Sequence, residues 1–152
     1  MKSTAHKWNE ETGQIEAKPA KKSQAGLTAR KARLVVIEDD QGMQALLADV
    51  LRSMGYLVTT FSDATGAVKL LAAGGEIDAV ICDLNMPKLN GLDFLDVLAR
   101  MRCPVPVILI TAFGTDRTAE AARSKGAYAY LSKPFQLSEM SETVRRAIAD
   151  RR

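Results

Sequence analysis

Five short apolar runs rich in β-branched residues alternate with five stretches of helical periodicity in this sequence. The runs lie at residues 34–37, 57–61, 79–82, 105–110 and 127–131. The helical stretches lie at residues 43–54, 64–71, 92–98, 116–125 and 137–148. Such alternation favours one parallel sheet with right-handed crossovers and helices on both faces. The sequence therefore predicts a doubly wound α/β fold with five strands and five helices.

The predicted strands end in polar residues whose chemistry fits together. The first, third, fourth and fifth runs lead into Glu38-Asp39-Asp40, Asp83, Thr111 and Lys133. In a parallel sheet these ends share one edge, which is where open α/β sheets bind ligands. Crowded carboxylates repel one another unless a cation neutralises them, and hard oxygen ligands suit Mg²⁺. Separate helix caps and surface charges explain any one of these groups, but they explain the whole set poorly.

A lysine and an aspartate at such an edge suggest phosphoryl chemistry. The Lys133 ammonium can hold a phosphoryl oxygen, and the Thr111 hydroxyl can donate to one. The Asp83 carboxylate beside a metal ion can act as the nucleophile of phosphoryl transfer and form an acyl phosphate.

Four motifs carry a resemblance to a known family. Together they resemble the receiver domains of two-component response regulators. The motifs are Val-Val-Ile-Glu-Asp-Asp, Cys-Asp-Leu-Asn-Met-Pro followed by Asn-Gly, Leu-Ile-Thr-Ala, and Tyr-Leu-Ser-Lys-Pro-Phe. The resemblance covers about residues 33–150. It implies a flavodoxin-like (βα)5 fold with strand order 2-1-3-4-5. It also implies a phosphorelay in which a sensor histidine kinase or a phosphotransfer protein supplies the phosphoryl group.

The resemblance assigns a role to each residue of the acidic edge. Asp83 matches the phosphoacceptor. Glu38 and Asp39 match the acidic pair that holds Mg²⁺, for which Mn²⁺ can substitute. The metal ligands it implies are Glu38, Asp39, Asp83 and the backbone carbonyl of Asn85, with Asp39 and Asn85 as direct ligands. Asp40 remains an alternative to Asp39 if the register shifts by one residue.

Three further residues match the phosphate-binding and switch positions of the family. Lys133 matches the phosphate-binding lysine, Thr111 the switch hydroxyl and Tyr130 the switch aromatic. The simpler interpretation of Tyr130 is a half-buried strand residue with its hydroxyl in water. If the switch operates, it acts through the fourth helix, the fifth strand and the fifth helix. That surface is then expected to contact a downstream effector protein or a second copy of the chain.

Three other functions remain as alternatives to phosphorylation-dependent signalling. A receiver is no enzyme beyond promoting its own phosphorylation and dephosphorylation, whereas a haloacid-dehalogenase-type phosphatase would turn over substrate. That mechanism needs an acid two residues after the nucleophile, and Asn85 stands there. A nucleotide- or flavin-binding module would need a glycine-rich loop, and none follows a predicted strand. A receiver-like interaction module that is never phosphorylated is the third alternative.

The basic residues are concentrated at the N-terminus. Residues 1–33 contain eight Lys and Arg against three Glu, whereas residues 34–152 contain thirteen against fifteen Asp and Glu. We therefore interpret residues 1–32 as a basic extension, expected to be disordered, and residues 33–152 as the receiver domain. Because the sequence ends at Arg152, we expect no DNA-binding domain in this chain. The sequence has no membrane segment or signal peptide, which suggests a cytoplasmic protein.

Overall fold

A seven-stranded sheet forms the centre of the molecule in the computed structural model, which describes residues 30–151 and the backbone of two short N-terminal strands. The strands are β1 Lys7–Asn9, β2 Gln14–Glu16, β3 Arg33–Ile37, β4 Leu57–Phe61, β5 Ala79–Asp83, β6 Val107–Thr111 and β7 Ala129–Ser132. The helices are α1 Gln41–Ser53, α2 Ala64–Ala72, α3 Gly91–Met101, α4 Asp116–Ser124 and α5 Leu137–Asp150.

Strands β3 to β7 are parallel and alternate with the helices, as the sequence predicts. The sheet order is β1-β2-β7-β6-β5-β3-β4. Its parallel part, from β4 to β7, has the order 2-1-3-4-5 when these five strands are numbered along the chain. The predicted doubly wound, flavodoxin-like fold is therefore confirmed.

The burial of the strands follows their position in the sheet. Every residue of β5 and β6 is buried, whereas β4 at the edge has no buried residue. A continuous apolar run is typical of a parallel strand that is covered on both faces. Strand β6 begins two residues later than predicted, at Val107, because Pro106 has no N–H to donate to the sheet.

The helices cover both faces of the sheet and create two hydrophobic cores. Buried residues of α2, α3 and α4 pack on one face, and those of α1 and α5 pack on the other. Phe94 of α3 and Met140 of α5 are fully buried in these two cores. Helix α4 buries only Ala122, whereas α3 buries four residues. Packing therefore holds α4 less firmly than α3.

The two N-terminal strands extend the sheet beyond its parallel part. Strand β1 pairs antiparallel with β2, and Gln14 of β2 pairs with Ala129 of β7. The sequence analysis expected a disordered extension over residues 1–32 and did not predict these strands. Each strand has only three residues, which is too short to show a recognisable alternation of apolar and polar side chains. The other residues of this segment up to residue 29 lie outside the described part of the chain. Residues 30–32 are described, and they lead directly into β3.

Candidate functional site

The parallel register brings four chain segments together at the carboxyl edge of the sheet. Asp83 and Thr111 are the last residues of β5 and β6, Glu38 follows β3 and Lys133 follows β7. Because β5 lies between β3 and β6, the Asp83 carboxylate emerges at the centre of this edge. The convergence expected from the sequence is thus observed.

Three carboxylates form a cluster at this edge. Glu38, Asp39 and Asp83 each place one carboxylate oxygen within 4.8 Å of the others. Glu38 and Asp83 are buried, whereas Asp39 is exposed. An all-oxygen donor set that is open to water on one side fits a partly hydrated Mg²⁺ ion. The donor chemistry therefore agrees with the metal expected from the sequence.

Asp40 and Asn85 have defined positions around the cluster. Asp40 is the N-cap of α1, and its Oδ2 accepts a 2.7 Å hydrogen bond from the amide of Met43. It thus caps a helix and lies outside the three-carboxylate cluster. The choice of Asp39 rather than Asp40 as the metal ligand stays a prediction. The amide of Asn85 donates to Asp83 Oδ1 at 3.1 Å. This bond holds the residue against the cluster, and the ligand role of its carbonyl stays a prediction.

Lys133 is the cation of the site. Its Nζ lies 3.2 Å from Glu38 Oε1 and 3.5 Å from Asp83 Oδ2. Partial burial would lower the pKa of Lys133, but the charges of Asp83 and Glu38 raise it above its ordinary value. The side chain therefore remains an ammonium at neutral pH, beside the Asp83 carboxylate.

Glu38 has an unusual pKa for a carboxyl group. Burial raises the pKa of Glu38 to about 7, and the neighbouring Asp83 carboxylate adds to the rise. The amide of Asp40 and the Lys133 ammonium act in the opposite direction. Two buried carboxylates beside one ammonium leave an excess of negative charge, so a bound cation would relieve this repulsion.

The Thr111 hydroxyl lies on the side of the site next to Asn85. Its Oγ1 accepts hydrogen bonds from Asn85 Nδ2 at 2.8 Å and from the amide of Phe113 at 3.1 Å. Both bonds use lone pairs of the oxygen, so the hydroxyl proton remains able to point at a new acceptor. Thr111 is fully buried. It can therefore donate to a phosphoryl oxygen without giving up either bond that positions it.

Tyr130 is buried with its hydroxyl bonded to the protein. Only 7% of the residue is exposed, and its hydroxyl lies 2.7 Å from Oγ1 of Thr118 on α4. The simpler interpretation, a half-buried ring with its hydroxyl in water, is therefore wrong. The sequence analysis missed Thr118. The Thr115-x-x-Thr118 spacing at the start of a helix indicates a cap, but it does not reveal a contact with β7.

Comparisons with known proteins point to one family. Residues 34–145 match the family model of the response regulator receiver domain. The DNA-binding transcriptional regulator NtrC of Rhizobium meliloti is 37% identical over 119 residues, which are 78% of this chain and 24% of that protein. The transcriptional regulatory protein PdtaR of Mycobacterium tuberculosis is 36% identical over 118 residues, which are 77% of this chain and 57% of that protein. The chain thus spans less than two thirds of each of these relatives.

Solved structures give the same result. A response regulator receiver domain protein from Clostridium thermocellum superposes with a TM-score of 0.73 at 31% identity, over 78% of this chain and 95% of that one. The beryllofluoride-activated NtrC4 receiver domain dimer superposes with a TM-score of 0.74 at 28% identity, over 79% of this chain and 98% of that one.

Proposed function

The chain belongs to the response regulator receiver domains, and on that premise we propose that Asp83 is its phosphoacceptor. We further propose that Glu38, Asp39 and the backbone carbonyl of Asn85 hold Mg²⁺ beside Asp83. The observation that carries this proposal is the position of Asp83. Its carboxylate lies within 3.5 Å of the Lys133 ammonium and belongs to the three-carboxylate cluster. A nucleophile, a phosphate-binding cation and a metal-binding donor set thus occur at one edge of the sheet.

Each residue of the site has a separate role in the proposed phosphoryl transfer. An Asp83 carboxylate oxygen attacks the phosphorus atom of the donor, and a P–O bond forms as the bond to the leaving group breaks. With a phosphohistidine donor, the imidazole leaves and the acyl phosphate remains on Asp83. Lys133 and the Thr111 hydroxyl bind oxygens of the transferred group. Bound Mg²⁺ would neutralise charge on the carboxylates and on the phosphoryl group.

A receiver implies a partner that supplies the phosphoryl group and another that receives the signal. We expect a histidine kinase or phosphotransfer protein as donor and a protein effector as target. The exposed surface of α4, β7 and α5 is our candidate for the output face and for a homodimer. The similarity to a receiver domain dimer supports self-association. Among the described residues no helix is long and apolar enough to cross a membrane. Two free cysteines further support a cytoplasmic location.

The phosphatase alternative is disfavoured by the site. Asn85 stands where that mechanism needs an acid, and its side-chain amide donates to Thr111. An amide cannot protonate a leaving group as a carboxylic acid does. The chemistry at this edge therefore ends with a phosphorylated aspartate and its own hydrolysis, which a time course after donor removal would measure.

Intact-mass measurement after incubation with acetyl phosphate and Mg²⁺ tests the proposal. We expect one phosphoryl adduct on the wild-type protein, and none with Asp83→Asn or when EDTA removes the metal. Asp39→Asn and Asp40→Asn form a matched pair, because only Asp39 belongs to the cluster. Asp39→Asn should lose the adduct and Asp40→Asn should keep it. Equal adducts in wild type and Asp83→Asn would place phosphorylation elsewhere, and no wild-type adduct would favour a module that is never phosphorylated.

A further inference from the structure

The N-terminal hairpin of β1 and β2 covers the edge of the sheet at β7. The two strands pair with each other at three positions, and Gln14 of β2 pairs antiparallel with Ala129 of β7. The amide of Tyr128 donates inward to the carbonyl of Val107 at 2.8 Å, so by alternation the backbone groups of Ala129 point away from β6. These outward groups are the ones that a further strand can use, and β2 lies beside them.

The hairpin lies on the surface that we propose as the output face. Strand β7 is the last strand of the parallel sheet, with α4 on one of its faces and α5 on the other. The outer edge of β7 is therefore the middle of the α4, β7 and α5 surface. A second copy of the chain that docks on this surface needs the space beside β7 that the hairpin occupies.

Pairing with β7 holds the hairpin weakly. Among the residues that the structure describes, β2 and β7 pair at one position, whereas β6 and β7 pair at four. A two-stranded hairpin is at best marginally stable by itself, so a partner can displace it at small cost. Because the hairpin belongs to the same chain, it competes at an effective concentration of roughly millimolar order. It can therefore oppose a partner without excluding it.

The opposite edge of the sheet is protected without a further strand. The amide of Leu57 donates inward to the carbonyl of Ala32, so by alternation the carbonyl of Val58 points to the outer edge of β4. Nη2 of Arg52 donates to this carbonyl at 3.0 Å. Exposed edges need such cover because they template pairing with other chains. One arginine covers an outward carbonyl at β4, so edge protection alone does not require a hairpin at β7.

We propose that the N-terminal hairpin is an intramolecular competitor of self-association. It occupies the β7 edge, and a second copy of the chain must displace it to form a dimer through the α4, β7 and α5 surface. This inference rests on the proposed output face and does not need phosphorylation of Asp83. If both copies must release their hairpins, the dimer dissociation constant rises with the square of the inverse open fraction. An open fraction of about one third would weaken dimerisation roughly 10-fold.

Sedimentation equilibrium of the unphosphorylated chain measures this competition. Deleting residues 1–16 removes both strands, and we expect the dimer dissociation constant to fall roughly 10-fold. Ile15→Pro tests the hairpin in the full chain, because Ile15 is the central residue of β2 and proline disrupts a strand interior. This variant should match the truncation. Ala20→Pro follows Pro19 outside both strands and should dimerise like wild type.

Trp8 supplies a direct signal from the hairpin, because it is the single tryptophan of the chain and lies in β1. Its emission should change with protein concentration at the midpoint of dimer formation, since dimerisation releases the hairpin from β7. A disulfide between Gln14→Cys and Ala129→Cys would lock the hairpin, because these residues are directly opposed. The oxidised protein should stay monomeric at concentrations where the reduced protein dimerises. Urea unfolding shows whether each variant keeps the fold.

Three results would overturn the proposal. Equal or weaker dimerisation after deletion of residues 1–16 would show that the hairpin does not compete with a second copy. Open-ended aggregates in place of a dimer would assign the hairpin to edge protection alone. Monomers in every variant up to the solubility limit would show that a second copy does not bind this surface. None of these results bears on the phosphorylation of Asp83, which the intact-mass measurement tests separately.

Discussion

Two carboxylates at opposite ends of the sheet have contrasting surroundings. Glu38 lies at the carboxyl edge with Asp83 and Asp39, and its side chain is 1% exposed. Asp78 precedes β5 at the amino edge, and its side chain is 13% exposed. Both lie next to a central strand, and both are in contact with cations. They differ in the balance of charge and hydrogen bonds around them.

Asp78 is saturated with donors. Its carboxylate accepts from the guanidinium of Arg30 at 3.0 and 3.2 Å, from that of Arg151 at 2.9 Å and from the amide of Arg33 at 2.7 Å. Burial alone would raise the pKa of Asp78, but these donors lower it below its ordinary value. Asp78 thereby ties the segment before β3 to the end of α5.

Glu38 has the opposite balance, since burial and the Asp83 charge raise its pKa to about 7. The fold disfavours the ionised form of Glu38, which lies where ligand chemistry is expected. It favours the ionised form of Asp78, which joins separate segments of the chain. Perturbed carboxyl groups of the first kind are typical of functional sites. The comparison therefore predicts that removing the charge at the two ends has opposite effects on stability.

Asp78→Asn should give the largest loss of stability. We expect the free energy of unfolding at pH 7 to fall by about 2 kcal/mol, because charge-assisted hydrogen bonds are lost and the guanidinium groups of Arg30 and Arg151 each lose a largely buried carboxylate partner. Urea unfolding measures the change. Glu76→Gln is the control, since Glu76 is largely exposed and lies 3.5 Å from the same Arg30. A similar loss in both variants would contradict the special role of Asp78.

The pH dependence of Asp78→Asn follows from the lowered pKa. A carboxyl group whose folded pKa lies below its unfolded value of 3.8 contributes stability above that pH and loses it as the pH falls further. The difference between wild type and Asp78→Asn should therefore be constant from pH 7 to about 5 and shrink below about 4. A constant difference down to pH 3 would contradict the ionic origin of the effect.

Glu38→Gln should instead stabilise the metal-free protein. Because the folded pKa of about 7 lies above the ordinary 4.5, wild type loses stability as the pH rises between these values. The gain should be about 1–2 kcal/mol at pH 8 and should vanish near pH 4.5. Urea unfolding in EDTA measures it, and Asp39→Asn is the exposed control. A loss of stability at pH 8 would show that Glu38 is needed structurally.

The sequence predicted one end of the sheet far better than the other. Strand periodicity and the parallel register were enough to bring Glu38, Asp83, Thr111 and Lys133 to one edge. The hydrogen bonds of Asp78 could not be predicted, because Arg33 and Arg151 are 45 and 73 residues away and no local pattern links them. Long-range side-chain contacts depend on packing that periodicity does not encode, as the bond between Tyr130 and Thr118 also shows.

Removing Arg30 by truncation should lower the free energy of unfolding by less than Asp78→Asn does. Deleting residues 1–30 removes Arg30, whereas deleting residues 1–29 keeps it. We expect the shorter chain to be less stable by about 1 kcal/mol, since Arg30 is partly exposed and its ion pair is partly screened. In an Asp78→Asn background the two truncations should have equal stability. If they still differ there, the contribution of Arg30 does not pass through Asp78.

The smallest effect is expected for a carboxylate with two cationic neighbours at the protein surface. Glu142 on α5 contacts Arg145 and Arg146, and hydrogen bonding to Arg145, only weakly opposed by burial, lowers its pKa. Asp78 and Glu142 thus have similar partners and the same direction of pKa shift, but the Glu142 side chain is 41% exposed. Water and salt screen an exposed ion pair, and the long side chains lose conformational freedom when they pair. Glu142→Gln should therefore change the free energy of unfolding by less than about 0.5 kcal/mol, and 1 M salt should remove the difference. A loss as large as that of Asp78→Asn would show that the number of cationic partners, rather than burial, determines what a carboxylate contributes to this fold.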